Sequence, residues 1–186
     1  MLVTSEGFLG GGRGSGVLID SQTVLTCAHM AESYDDELFI YTYPIGKVTK
    51  ASVLFVDPAS DLMLLKLATP VKAPRYAKFA ESYDGEPITI IGNALGSMKW
   101  LVSRGIIAGM ERQYVLTDVQ VNPGNSGGPW IDENGYVVAI TDWGIDPKRG
   151  PGVTGGISAA KIKAFIKAYK SSLNFRAMLM KLLGGH

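Results

Sequence analysis

Asn122-Pro123-Gly124-Asn125-Ser126-Gly127-Gly128-Pro129 separates two short β-rich stretches, Gln113 to Val119 and Trp130 to Ile131, with a run that glycine and proline keep out of regular structure. Such a turn exposes one hydroxyl. Gly124 admits backbone conformations closed to residues with a Cβ, so the amides of Gly124 and Ser126 can converge on one point. Gly127 and Gly128 leave room for close backbone approach, and Pro129 stiffens the exit into the next strand. Ser126 is therefore a candidate nucleophile, with Gly124, Asn125 and Ser126 as the candidate oxyanion loop. Taken alone, the same string reads as a plain glycine turn, so its meaning depends on the rest of the chain.

Outward from this turn the pattern is short and β-branched. Val17-Leu18-Ile19, Thr23 to Cys27, Leu38 to Tyr43, Val48 to Val56 and Leu62 to Leu67 read as strands, separated by Asp20-Ser21-Gln22, Pro44 to Gly46 and Asp57 to Ser60. Gly7 to Gly16 reads as a flexible, glycine-rich lead-in. A shift to proline, lysine and alanine over Thr69 to Lys78 marks a linker. Beyond it Ile88 to Ile91, Trp100 to Ile107, Gln113 to Val119, Trp130 to Ile131, Tyr136 to Thr141 and Val153 to Ser158 repeat the pattern. Two similar sets of about six strands predict an all-β protein of two barrels rather than alternating β and α units. Only the C-terminus reads as helix. Ile162, Phe165, Ile166 and Tyr169 recur at helical spacing behind a Ser158 cap, and Phe175, Met178, Leu179 and Leu182 repeat it. Both sets are expected to pack on the protein's own barrel. The alternative for the second is an oligomer contact or a membrane-surface anchor.

Composition narrows the function. With 186 residues, 46% of them hydrophobic and 19% charged, the chain can bury a core and is not disordered. Eighteen basic against 17 acidic side chains leave a formal charge of +1, which gives no electrostatic case for nucleic acid. The single Cys27 excludes an intrachain disulfide and fits a reducing compartment. One cysteine and one usable histidine cannot make a zinc set, no Walker loop is present, and no cofactor is indicated. No intact signal peptide or transmembrane run is visible, so a cytoplasmic protein or a mature secreted form is expected.

A serine nucleophile needs an imidazole. Of the two histidines, His186 is the last residue, where no scaffold fixes a ring; His29 follows the strand Thr23 to Cys27 directly. The imidazole in turn needs a carboxylate to hold its tautomer. Asp61 leads into the apolar run Leu62 to Leu67, which can carry a carboxylate into a dry place. Asp57, Asp118 and Asp142 are the competitors.

Thr26-Cys27-Ala28-His29, then Asp57 to Lys66, then Thr117-Asp118 followed by Asn122 to Pro129 resemble, in order and separation, the trypsin/chymotrypsin-like serine proteases, nearest the HtrA-like bacterial branch. The resemblance covers roughly Gly14 to Ser158. It implies two six-stranded antiparallel β-barrels with a C-terminal helix: residues 1–75 carrying His29 and Asp61, residues 76–158 carrying Ser126, and residues 159–186 forming a helical tail. It implies a serine endopeptidase with His29, Asp61 and Ser126 as catalytic triad, acting on protein or peptide substrates with no metal or nucleic acid. The alternatives are a catalytically silent binding module on the same scaffold and, more remotely, an esterase, for which the order serine, acid, histidine would be required.

For substrate binding the resemblance implicates the strand Ile140-Thr141-Asp142-Trp143-Gly144 and, opposite, Pro151-Gly152-Val153. Gln120 lies near the position that sets charge preference. A neutral residue, apolar or aromatic, is expected before the cleaved bond. Three departures stand out. Asn125 replaces the aspartate that pairs with a newly cut N-terminus in digestive members. Only a short helical tail, open to self-association, follows Ser158 where the HtrA proteins carry a PDZ domain. Asp142 stands where a small neutral residue is usual, and its carboxylate is expected to turn outward, away from Asp61.

Overall fold

The computed structural model describes residues 2–6, 13–31, 37–42, 46–94, 100–145 and 152–183. The N-terminal half forms one antiparallel sheet from β1 (Leu2–Glu6), β2 (Arg13–Ser15), β3 (Val17–Leu18), β4 (Thr23–Cys27), β5 (Glu37–Thr42), β6 (Lys47–Asp57) and β7 (Leu62–Leu67). Its seven strands run in the order β2-β1-β5-β6-β7-β4-β3. The second half contains β8 (Pro87–Gly92), β9 (Leu101–Glu111), β10 (Tyr114–Thr117), β11 (Pro129–Ile131), β12 (Val137–Gly144) and β13 (Thr154–Ser158). These close into a six-stranded barrel in the order β10-β13-β12-β11-β8-β9.

The expectation of two six-stranded barrels is therefore corrected for the first half, which is a seven-stranded sheet that hydrogen bonding does not close. Its edge strands β2 and β3 are separated in sequence only by Gly16, so the sheet curls until its edges meet, yet they do not ladder. The reason lies in what β2 bonds instead. The Ser15 amide donates to the Ser126 carbonyl at 2.7 Å, and Ser15 is fully buried. The edge is capped by the other half of the molecule, which satisfies a backbone donor that could otherwise have closed the barrel. Two further readings change here. Gly14 and Ser15 belong to a strand, not to a flexible lead-in, while residues 7–12 lie outside the described residues; β1, which the sequence reading did not assign, pairs with both β2 and β5.

The cores follow the strand pattern. Leu25, Leu38, Ile40, Leu62, Met63, Leu64 and Leu65 are fully buried in the first sheet, and Ile88, Ile90, Ile107, Val115, Trp130 and Val138 fill the barrel. The linker is tied to both halves: Ala77 N–H donates to Leu18 O at 2.9 Å and Val137 N–H to Lys78 O at 2.8 Å.

The tail is one helix, α1 (Ala159–Leu183), and Ser158 caps it, its hydroxyl accepting from Lys161 N–H at 3.3 Å. Ile162 and Phe165 are buried, and Phe55 of β6 lies 5.2 Å from the Phe165 ring and 5.5 Å from Tyr169. The second apolar set does not pack. Phe175, Met178, Leu179 and Leu182 are all exposed. At 100° per residue the two sets sit ~140° apart around the helix, so an unbroken helix that seats the first on the barrel turns the second away.

Candidate active site

His29 lies on a one-turn 3₁₀ segment, Ala28–Met30, at the end of β4. Asp61 ends a second such turn, Pro58–Ser60, and enters β7 with a left-handed backbone, φ +51°. That conformation is costly for most residues with a Cβ, and aspartate tolerates it better than most. It sets Asp61 against the other turn. Ala28 N–H donates to Asp61 O at 3.0 Å, the His29 amide donates to Asp61 Oδ1 at 2.8 Å, and His29 Nδ1 meets Asp61 Oδ2 at 2.5 Å. One carboxylate thus holds the His29 backbone with one oxygen and the ring with the other, leaving Nε2 directed elsewhere.

The competing aspartates are accounted for. Asp57 caps the turn before Asp61, accepting from Ala59 N–H at 3.2 Å and from the Ser60 hydroxyl. Asp118 accepts from Ile106 N–H at 3.0 Å on the barrel wall. His186 lies outside the described residues.

Asp142 is the exception, and the expectation for it is corrected. Its side chain is only 10% exposed and turns inward, with Oδ1 3.9 Å from His29 Nδ1. The sequence pattern missed this because inward and outward positions on β12 are resolved by a register shift between Thr141 and Trp143, which alternation alone does not reveal. The electrostatics follow. The bond to Asp61 raises the His29 pKa against the lowering effect of burial, and the charges of Asp61 and Asp142 add to the rise. Burial pushes Asp61 up, but its hydrogen bonds with His29 and Asp142 prevail and hold it below the usual carboxylate value. Burial, followed by the neighbouring Asp61, drives Asp142 up to about 7.

The Ser126 loop is held from three sides. Asn125 N–H donates to Asn122 O at 3.0 Å, Gly128 N–H to Asn125 O at 2.8 Å, and Gly127 N–H to Thr141 O at 2.8 Å. Thr141 O also accepts from the Cys27 thiol at 3.2 Å, so one carbonyl joins the strand that delivers His29 to the residue after Ser126. Gly127 has φ +78°, and a Cβ there would collide with the Ser15 carbonyl and the Thr26 hydroxyl. Gly124 has φ +100°; among the described residues neither its amide nor that of Ser126 donates to a backbone acceptor. The Ser126 hydroxyl has no hydrogen-bond partner among the described residues, His29 included.

Ser15 is the residue the sequence reading missed. Its hydroxyl donates to Gly124 O at 2.8 Å and accepts from Asn93 N–H at 2.9 Å, while its carbonyl accepts from Thr26 Oγ1 at 2.8 Å. The only sequence signal was a serine held between Gly14 and Gly16.

Of the other residues expected to bind substrate, Trp143 stands edge-on to Tyr114 at 5.7 Å. Gly144 is exposed, and a Cβ there would reach the Val121 side chain at 2.8 Å. Gln120, beside Val121, is exposed, Gly152 has φ +67°, and Pro151 lies outside the described residues. Ligand atoms of Cys27, His29, Asp61 and Asp142 fall within 4.8 Å of one another, but the His29 and Asp61 atoms are engaged with each other. The Cys27 thiol, pushed well up by burial, donates to Thr141. This is a hydrogen-bonded cluster rather than a preformed metal set.

Known proteins resemble this chain in sequence and in fold. A trypsin-like peptidase domain matches residues 14–140. A serine protease HtrA-like protein of Staphylococcus epidermidis is 29% identical over 188 residues, covering 87% of this chain and 32% of its own. The serine protease Do-like HtrA of Bacillus subtilis is 28% identical, covering 82% of this chain and 38% of its own. The chain thus spans about a third of the length of these relatives. The serine endoprotease of Yersinia pestis shares the fold, with a TM-score of 0.77 at 22% identity over 90% of this chain and 61% of that one. With the match covering most of the sheet and the barrel, this chain belongs to the trypsin-like peptidase domain family.

Proposed function

We infer that the chain is a serine endopeptidase that cleaves proteins or peptides through an acyl-enzyme, with His29, Asp61 and Ser126 as its triad. The observation that carries this reading is the double hold of Asp61 on His29, amide at 2.8 Å and ring at 2.5 Å, tied through Thr141 to the Ser126 loop. Nδ1–H pointing at Asp61 leaves Nε2 as the basic nitrogen. His29 takes the Ser126 proton as the hydroxyl attacks the carbonyl, then returns it to the leaving amine. The free amides of Gly124 and Ser126, with Asn125 shaping the loop between them, receive the oxyanion. Asp61 keeps its charge throughout and stabilises the imidazolium. The hydroxyl and the imidazole close up when substrate is bound, as apo catalytic contacts often do.

Trp143, Gly144, Gly152 and Gln120 frame the pocket for the residue before the cleaved bond. None is charged, which supports a neutral, apolar or aromatic side chain there. The backbone of β12 through Asp142 pairs with the substrate, although the Asp142 carboxyl faces inward. Residues 1–75 and 76–158 act as the two halves of the cleft, and the exposed set on α1 serves self-association.

A fluorophosphonate probe and a peptide-library digest test the reading together. The native protein should label and cleave, and Ser126→Ala should do neither. A native protein that folds but neither labels nor cleaves would be a silent binding module.

A further inference from the structure

Asp142 is the charged group at the centre that the mechanism above leaves without a role. Four groups face it: the Cys27 thiol from β4, His29 from the turn after β4, Asp61 from the turn before β7, and the Tyr114 phenol from β10. Only His29 can be positive, and it is already bonded to Asp61. Two carboxylates crowded around one imidazole and one-tenth exposed on the Asp142 side do not both ionise readily. The one that keeps its proton becomes a donor. Asp61 is the better anion of the two, since it accepts the His29 amide and ring, and its oxygens retain lone pairs for a third bond.

We propose that Asp142 is a positioning residue of the catalytic pair that works as a neutral acid, donating its O–H to Asp61, and that its proton is the one His29 competes for. The proton balance is simple. Asp142–H with neutral His29 can act as base, as can the pair once it has lost both protons. Moving that one proton to the imidazole gives Asp142 carboxylate with imidazolium, which cannot. Asp142 is held up to about 7 and His29 above the ordinary imidazole value, and with 3.9 Å between carboxyl and ring the charge of each acts on the proton of the other. Their titration then belongs to the pair and spreads over two steps. The inference rests on the serine-peptidase reading for its catalytic meaning.

The test follows the His29 ring by nuclear magnetic resonance across pH in the Ser126→Ala protein, alone and with Asp142→Asn or Asp142→Ala. The kcat/KM profile is measured in parallel with Ser126 intact. Removing the second carboxyl should lower the His29 midpoint by about one pH unit and sharpen it to a single step. Asparagine still offers N–H to Asp61 and alanine does not, so kcat/KM of Asp142→Ala should fall roughly tenfold below that of Asp142→Asn. An unmoved His29 titration in Asp142→Asn, in protein that cleaves normally, overturns this inference alone. A shifted titration in protein that never cleaves upholds the positioning and removes the peptidase reading. If the alanine variant does not fold, the asparagine titration still decides.

Discussion

Ser15→Ala should damage both stability and activity, although Ser15 takes no part in the chemistry. The hydroxyl is fully buried and serves two backbone groups, Gly124 O at 2.8 Å and Asn93 N–H at 2.9 Å. Alanine leaves both unpaired. Each unsatisfied buried group costs ~1–3 kcal/mol, so the pair amounts to about 2–4 kcal/mol after some relaxation. For a chain of this length that lowers Tm by roughly 4–16 °C. Activity falls for a related reason. The Gly124–Asn125 peptide is fixed at both ends, its oxygen by Ser15 and its N–H by Asn122 O, and that plane sets where the flanking amides of Gly124 and Ser126 point. Losing an oxyanion donor outright costs about 10² to 10³ in rate; loosening its support should cost at least roughly tenfold. Thermal melts and the rate of fluorophosphonate labelling measure the two effects separately. A variant that melts within about 2 °C of the parent and labels at the parent's rate would refute the role assigned to this hydroxyl.

Asp61→Asn should lower kcat by about 10⁴ while leaving the fold intact, because the amide can still accept from the His29 backbone but cannot stabilise imidazolium; a steady-state assay across pH checks it. Gly127→Ala forces a Cβ onto a left-handed backbone and into the Ser15 carbonyl and Thr26 hydroxyl, and should cost more than ~1–3 kcal/mol, read from urea unfolding. Asp142→Asn should stabilise the protein at alkaline pH. Its folded pKa is raised from 3.8 to about 7, so the native state favours the protonated form, and that contribution is lost as pH rises through 7. The variant should gain roughly 1–4 kcal/mol over the parent above pH 8 and nothing below about pH 4, as Tm against pH would show.

The strands and the candidate triad were legible because their signals are local. His29 follows an apolar β-branched run, Asp61 precedes another, and Ser126 sits among glycines; each could be placed from a few neighbours. What was not legible depends on partners far away in the chain. Ser15 bonds to Gly124 across 109 positions, and nothing in Gly14-Ser15-Gly16 says which carbonyl it will meet. The direction of Asp142 hangs on a bulge in β12, since one extra residue sends a side chain to the opposite face. The open edge of the first sheet was likewise invisible, because strand count says nothing of whether β2 will bond β3 or the Ser126 loop. The helix was placed correctly, but its two apolar sets were read separately, without asking whether one rigid rod could seat both.

These long-range bonds explain why a site shared by two halves of a molecule can be stiff. The first half reaches the second through Ser15 N–H to Ser126 O, Ser15 Oγ to Gly124 O and Cys27 Sγ to Thr141 O, and every one of these ends on the serine loop or on the residue beside Asp142. The seam is therefore built from the same groups that aim the chemistry. Separating the halves would strip buried donors and acceptors of their partners at several points together, so displacement of His29 from Ser126 is opposed by the hydrogen bonding of the fold itself. The crowding of Asp61 and Asp142 follows from that construction. Drawing Thr141 to the Cys27 strand carries Asp142 to the edge of the His29 pocket, and a second carboxyl there is tolerated because it can retain a proton.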